Sequence, residues 1–281
     1  MSRLRGLVEL GKFNRLEVVK DVDFGYYLDG GDLGEILLPH NSTEQLHAAG
    51  DIVDAFLYKD SDDRLIATTV TPLAQVGEIT SLKVVALTPV GAFLDWGLEK
   101  DLLVPFSEQA IPMLEGNKYL VLIYIDVSGR IVASSKLDKR LDREPSHYEE
   151  QQKVNLVICD HTDIGYKAAI NSLHWGVLYR NEVFKELRIG QKMSGYINRV
   201  REDGKIDLLL EKPGYTKNDE LGNKIIIFLK QNNGVSHVSD KSSPEIITRL
   251  FGVSKKKFKQ SIGALYKSGQ IILSKEGIRL P

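Results

Sequence analysis

Two groups of side chains in this 281-residue chain have the types and spacing to do chemistry on a ligand. The first is aromatic. Tyr27 stands in Gly25-Tyr-Tyr-Leu-Asp29 and Phe93 in Gly91-Ala-Phe-Leu-Asp95, with Phe24 just ahead of the first glycine. A ring on an open sheet face stacks on a flat unsaturated group without reading its identity. Tyr26 and Tyr27 must point to opposite sides of a regular strand, so one of the pair belongs to a core. Tyr166, Trp175 and Tyr179 continue the aromatic set downstream, Trp175 serving equally well as packing between neighbouring modules. The second group is cationic: Lys255-Lys-Lys257 with Lys259, then Lys275 and Arg279. Lysines beside the free amides of a helix start favour a polyanion by charge alone, although lysine runs also serve simply as solvated surface.

Rings of this kind need a sheet to hold them. Residues 76–135 contain five short runs rich in Val, Ile, Leu and Phe, separated by Gly, Pro, Asp and Asn, the pattern of a small all-β unit. Its landmarks recur upstream. Ile36-Leu-Leu-Pro39 matches Leu102-Leu-Val-Pro105, and Asp63-Arg-Leu-Ile-Ala-Thr68 matches Gly129-Arg-Ile-Val-Ala-Ser134. Downstream, Gly165, Trp175-Gly-Val-Leu-Tyr179, Gly190 and Gly204 keep the order. Three copies predict three modules at 1–70, 71–138 and 153–213. In the first, strands are expected at 10–19, 25–28, 34–38, 52–59 and 65–69, with a short helix at 42–49 and its counterpart at 107–114. Thr71-Pro-Leu73 leaves almost no slack between modules, which predicts a fixed string of beads. The charged stretch 139–152 reads as a linker, helical up to Arg143. In the third copy Tyr179-Arg-Asn-Glu-Val-Phe184 replaces the proline-containing turn, and Ala168 is aligned with Phe93.

Beyond residue 214 the hydrophobic period lengthens toward that of a helix. Helices are expected over 219–231, with Leu221, Ile225, Phe228 and Leu229 on one face, then from the Ser243-Pro244 cap to Gly252, and from the Ser254 cap to Gly269. Phe258, Ile262 and Leu265 would form the inner face of the last, with Tyr266 beside them. Two short strands, 271–273 and 278–280, complete a winged helix-turn-helix at 214–281.

Composition sets the outer bounds. The 42% hydrophobic and 27% charged fractions are those of a globular protein. The single cysteine, Cys159, excludes an internal disulfide and reads as a buried thiol. No apolar run approaches a membrane span, so a cytoplasmic location is expected. The net charge of −1 hides an asymmetry: residues 1–70 carry seven Lys/Arg against thirteen Asp/Glu, and residues 214–281 carry twelve against five. A polyanion would be repelled by the first module and drawn to the last.

The central module resembles the S1-type RNA-binding domain, one of the OB-fold barrels, on Val90-Gly-Ala-Phe-Leu-Asp95, Leu102-Leu-Val-Pro105, Ser107-Glu108, Gly116 and Gly129-Arg-Ile-Val-Ala-Ser134. The full order, three such modules and a winged helix, is similar to the CvfB/YitL family of conserved virulence factor B-like bacterial RNA-binding regulators. The resemblance implies a multidomain, mainly β fold: three tandem five-stranded OB barrels followed by an α/β winged helix. It also implies RNA across strands two and three of each barrel, with Phe93 and Tyr27 as stacking platforms, Phe24 and Tyr166 beside the glycines, and Phe106 near where relatives place a histidine. Val90 stands where many relatives have another aromatic.

No catalytic constellation accompanies these features. The six histidines are scattered, and His-Glu-x-x-His, GxxxxGK[ST] and GxGxxG are all missing from the sequence. The acidic turn Asp60, Asp62, Asp63 reads as charge facing water, at most a loose cation site. No metal or cofactor is expected. The leading expectation is a non-catalytic binder of single-stranded RNA, a transcript for instance, that regulates gene expression after transcription. The alternatives are a transcriptional regulator binding duplex DNA through the winged helix, and a scaffold on ribosome or RNA polymerase.

Overall fold

The computed structural model describes residues 7–142, 146–180, 183, 186–210, 217–274 and 277–281. They fall into two compact units, Met1–Leu210 and Glu211–Pro281. In the first unit, alternation of apolar and polar residues produces fifteen strands in three sets of five. The first set is β1 (Phe13–Val22), β2 (Gly25–Asp29), β3 (Glu35–Pro39), β4 (Ile52–Lys59) and β5 (Leu65–Thr68). The second is β6 (Ile79–Thr88), β7 (Gly91–Asp95), β8 (Leu102–Pro105), β9 (Lys118–Ile125) and β10 (Ile131–Ser134). The third is β11 (Lys153–Thr162), β12 (Gly165–Ile170), β13 (His174–Tyr179), β14 (Lys192–Val200) and β15 (Ile206–Leu209).

The first and third sets close in the order β1-β2-β3-β5-β4 and β11-β12-β13-β15-β14. The second keeps the same neighbours without a ladder between β8 and β10, so it is a five-stranded sheet with barrel connectivity. Glycine fixes the start of each second strand. A Cβ added at Gly25, Gly91 or Gly165 would lie 2.4, 2.3 or 2.0 Å from the carbonyl oxygen of Leu38, Val104 or Leu178 on the next strand. Gly91 also sits at φ +152°, where side chains are strained. Gly91→Ala is therefore expected to destabilise the protein by about 2–4 kcal/mol. Urea unfolding with an unchanged midpoint would contradict this.

Each first strand is also kinked at one place. The β1–β2 register shifts between Val18 and Lys20, the β6–β7 register between Val84 and Ala86, and the β11–β12 register between Ile158 and Asp160. A bulge of this kind bends the strand around the barrel. Its onset also differs from the expected span: β1 begins at Phe13 because Gly11, at φ +75°, turns there against Val76.

The two expected short helices are single 3-10 turns, His40–Ser42 and Phe106–Glu108. The carbonyl that would carry the first helix forward, that of Ser42, is taken by the amide of Thr69 at 2.9 Å and the hydroxyls of Thr68 and Thr69. The Glu108 carbonyl is taken in the same way by Ser135 at 3.0 Å. The expected linker helix is likewise only a turn, Leu137–Lys139. Asp142 leaves the helical path because its amide donates to the Leu173 carbonyl and its carboxylate accepts from the Trp175 amide, both at 2.9 Å.

Neighbouring barrels share apolar contacts. Phe56 and Tyr58 of β4 continue into the core of the second barrel with Leu82, Val84 and Trp96, and the Phe56 and Trp96 rings meet edge to face at 5.8 Å. Asp63 accepts from Arg130 at 2.5 Å across the same junction. Arg64 holds Asp60 and Asp62 at 2.7 and 3.0 Å. Asp62 and Asp63 of the acidic turn face water as expected, and the structure adds that its carboxylates are paired there by arginines. The second and third barrels are joined by Ile79, Leu122, Leu137, Leu141, Val157 and Ala169, all buried, with Trp175 packed on them.

In the second unit, α1 (Lys217–Gln231), β16 (Val235–Ser236), α2 (Pro244–Phe251), α3 (Lys255–Lys267), β17 (Ile272–Ser274) and β18 (Gly277–Arg279) form the winged helix. The caps match their sequence signals. The Ser243 side chain accepts from the Ile246 amide, that of Ser254 from the Lys257 amide, and Gly252 closes α2 in the left-handed region. Leu221, Ile225, Leu229, Ile247, Phe258, Ile262 and Leu265 are buried together, with Phe228 packed against them. Tyr266 is 54% exposed, against the expectation that it flanks this core, because it lies one residue round the helix from Leu265. A third strand, β16, pairs with β18.

Candidate nucleic-acid interface

On the outer side of each barrel, three strands bring one residue each into register. The triads are Lys20–Tyr27–Leu37, Ala86–Phe93–Leu103 and Asp160–Lys167–Val177. Tyr27 and Phe93 thus hold the same place and are half-buried, whereas Tyr26, 2% exposed, is in the core. The Lys20 ammonium sits 4.5 Å from the Tyr27 ring centroid and 2.5 Å from the Glu35 carboxylate. Phe24, 59% exposed, meets Tyr27 edge to face at 6.4 Å. The first barrel therefore presents two rings and a cation together, a cation–π arrangement on an open face. In the second barrel Phe93 lies opposite Ala86 and Leu103, while Phe106, 57% exposed, follows Pro105, the partner of Gly91.

The third barrel departs from this plan. The residue in register with Tyr27 and Phe93 is Lys167, not Ala168, which is buried in the barrel. The expected alignment slipped by one place, and a one-residue slip exchanges the two faces of a strand. Lys167 lies 4.0 Å from the Trp175 ring and 2.5 Å from the Asp138 carboxylate, which ties it to the segment before the barrel. Trp175 itself packs between the second and third barrels. Tyr166 faces inward, packed on the barrel core beside His161 at 4.9 Å, its hydroxyl accepting from the Leu187 amide. Tyr179 takes the place of Pro39 and Pro105 opposite the glycine. Its hydroxyl donates to Asp207 at 3.2 Å and accepts from Arg201.

In the winged helix, Lys255, Lys256, Lys257 and Lys259 lie in the first turns of α3, with Lys256 and Lys259 exposed. Asp240 stands 3.9 Å from Lys259. The Glu245 carboxyl is held below its usual range by the Ser243 hydroxyl, then by its own backbone amide and the charge of Lys255. Arg279 is exposed on β18, and Lys275 lies outside the described residues. Sequence reasoning missed Lys20, Lys167, Arg199, Arg201 and Asp207. Arg199 and Arg201 were signalled by their i, i+2 spacing, which puts both on one side of a strand end; Lys20 had no signal before the register was known.

Among the described residues, no cluster of three or more His, Cys, Asp or Glu is placed to hold a metal ion, and no helix is long and apolar enough to cross a membrane. Burial pushes the Cys159 thiol up to about 11, and its Sγ donates to the Val157 carbonyl at 3.3 Å. A thiol that stays protonated is a poor nucleophile. Cys159 in the folded protein should therefore react with a disulfide reagent at pH 8 at least about tenfold more slowly than in urea; equal rates would contradict this.

Comparison with known proteins matches residues 10–70 and 76–136 to the S1 domain, and residues 223–280 to the CvfB-like winged helix domain. The Bacillus subtilis protein YitL is 30% identical over 91% of this chain and 88% of its own length. Conserved virulence factor B of Staphylococcus saprophyticus is 26% identical over 95% of each chain. The crystal structure of a multidomain protein with nucleic acid binding domains from Streptococcus pneumoniae covers 97% of this chain and 98% of its own at 24% identity, with a TM-score of 0.39. With the S1 and winged-helix matches in this order and the identity to YitL running over nine-tenths of the sequence, the chain belongs to the family of YitL and conserved virulence factor B.

Proposed function

We propose that this protein is a non-catalytic binder of unpaired RNA, acting in the cytoplasm on transcripts and so adjusting gene expression. The modules at 1–70, 71–138, 153–213 and 214–281 divide the work. The observation that carries the reading is the register shared by Tyr27 and Phe93: one ring at the same outward place in two successive barrels, with Lys20 over the first. Rings at this spacing suit bases that are free to unstack, and a neighbouring ammonium suits the backbone that links them. Each unit contributes separately, the first two barrels by stacking and α3 by charge. Linkage between weak sites then raises the affinity of the whole.

A specific observation favours a second reading, binding of duplex DNA: the lysines at the capped start of α3, the element that enters a major groove in winged-helix proteins. Competition of unstructured RNA and duplex DNA for the protein at matched salt separates the two. The RNA reading expects the RNA to displace the duplex. Displacement in the other direction would overturn it in favour of the DNA reading.

A further inference from the structure

Ile66 in β5, Val132 in β10 and Asp207 in β15 occupy equivalent places, each the second residue of its strand and each turned away from its barrel core. Ile66 packs on the core shared with the second barrel, and Val132 is buried. Asp207 is buried too, 2% exposed, yet it carries a carboxylate. Withholding a carboxylate from water is costly unless it is paired and hydrogen-bonded. Asp207 is fully engaged. Arg199 Nε lies 2.7 Å from one oxygen, Arg201 reaches both oxygens at 2.7 and 3.1 Å, and the Tyr179 hydroxyl donates at 3.2 Å. Burial alone would raise its pKa, but the hydrogen bonds from Arg201 and Arg199 outweigh it and hold the carboxyl below its usual range.

The arginines have donors to spare. A guanidinium carries five N–H groups, and the contacts above use one on Arg199 and three on Arg201, counting the bond to Tyr179. The Arg199 side chain is 60% exposed and that of Arg201 is 31% exposed. Two guanidiniums on one carboxylate leave a surplus positive charge beside a shallow depression of about 570 Å³ that both arginines line. Glu202 and Asp203 border the same depression; Asp203 is taken by Lys205 at 3.1 Å, while the exposed Glu202 carboxylate offsets that surplus, so the seat depends on the fixed forks of the arginines and not on net charge. We propose that Asp207 is a positioning residue that locks Arg199 and Arg201 into a two-pronged grip for a phosphodiester of the RNA backbone. The third barrel, whose ring position holds Lys167, thus contributes a phosphate seat in place of a stacking platform. A planar guanidinium held in place offers paired donors to phosphate with little ordering left to do on binding.

This inference rests on the RNA reading, and one experiment separates them because charge and positioning predict opposite signs. Asp207→Asn makes the face more positive, so charge alone would tighten binding to a polyanion. Positioning predicts weaker binding. Fluorescence anisotropy with a labelled unstructured oligoribonucleotide should show affinity falling about five- to tenfold in Asp207→Asn, and by a similar factor in Arg199→Lys, which keeps the charge and loses the fork. Should Asp207→Asn fail to fold, Arg199→Lys decides the matter at an exposed position. Wild-type affinity in Arg199→Lys, or unchanged or tighter binding in folded Asp207→Asn, would overturn the grip while leaving the RNA reading intact. Failure of the unaltered protein to bind the oligonucleotide would overturn both.

Discussion

Replacing Tyr27 and Phe93 together by alanine is expected to weaken binding of an unstructured oligoribonucleotide by about 2–6 kcal/mol, roughly thirtyfold or more, since each base stacked on a ring contributes about 1–3 kcal/mol. The rings lie in different barrels and share no partner, so their losses should add. Tyr27→Phe, which keeps the ring face, should bind like the unaltered protein. Tyr27→Ala should cost somewhat more than Phe93→Ala, because it also removes the surface on which Lys20 rests. Neither ring belongs to a buried core cluster, so the thermal midpoint of the double variant should stay within a few degrees. Titration by anisotropy checks the affinity, and an undiminished double variant would remove the rings from the interface.

The second large effect concerns salt. Changing Lys255, Lys256, Lys257 and Lys259 to glutamine should make the dependence of log affinity on log salt shallower by up to about 2.8, at about 0.7 per phosphate contact on a single strand. The share of Lys259 should be the smallest, since Asp240 stands 3.9 Å from it. Folding should survive, because Phe258 in the middle of the run keeps its place in the core and the Ser254 cap is untouched. At low salt the variant should bind at least about tenfold more weakly. An unchanged salt slope would show that α3 makes no phosphate contact.

Much of the fold was legible because it rests on local rules. The glycine that opens each second strand is needed because a carbonyl lies 2.0–2.4 Å from where a Cβ would stand, so it recurs, and the recurrence announces three copies. Likewise Ser243-Pro244 and Ser254 announce helix starts through their own caps. The rest depends on partners distant in sequence. Thr68 and Thr69 capture the Ser42 carbonyl that a helix at 42–49 would have used. Arg130 captures Asp63 from the next barrel. β16 is only two residues long and exists through its pairing with β18, so no periodicity could reveal it. Within the candidate interface, Tyr27 on the open face and Tyr26 in the core follow from strand alternation. Lys167 stands two residues after Gly165, as Tyr27 and Phe93 stand after Gly25 and Gly91, so counting from the glycine would have placed it; the lack of an aromatic there drew the alignment one residue too far.

The most direct measurement is photocrosslinking of the intact protein to a uridine-rich unstructured RNA, followed by identification of the modified peptides. Binding of unpaired RNA through the barrel rings predicts adducts on the peptides carrying Phe24 and Tyr27 and on that carrying Phe93. Adducts confined to α3 and the wing, with both ring peptides unmodified, would contradict it.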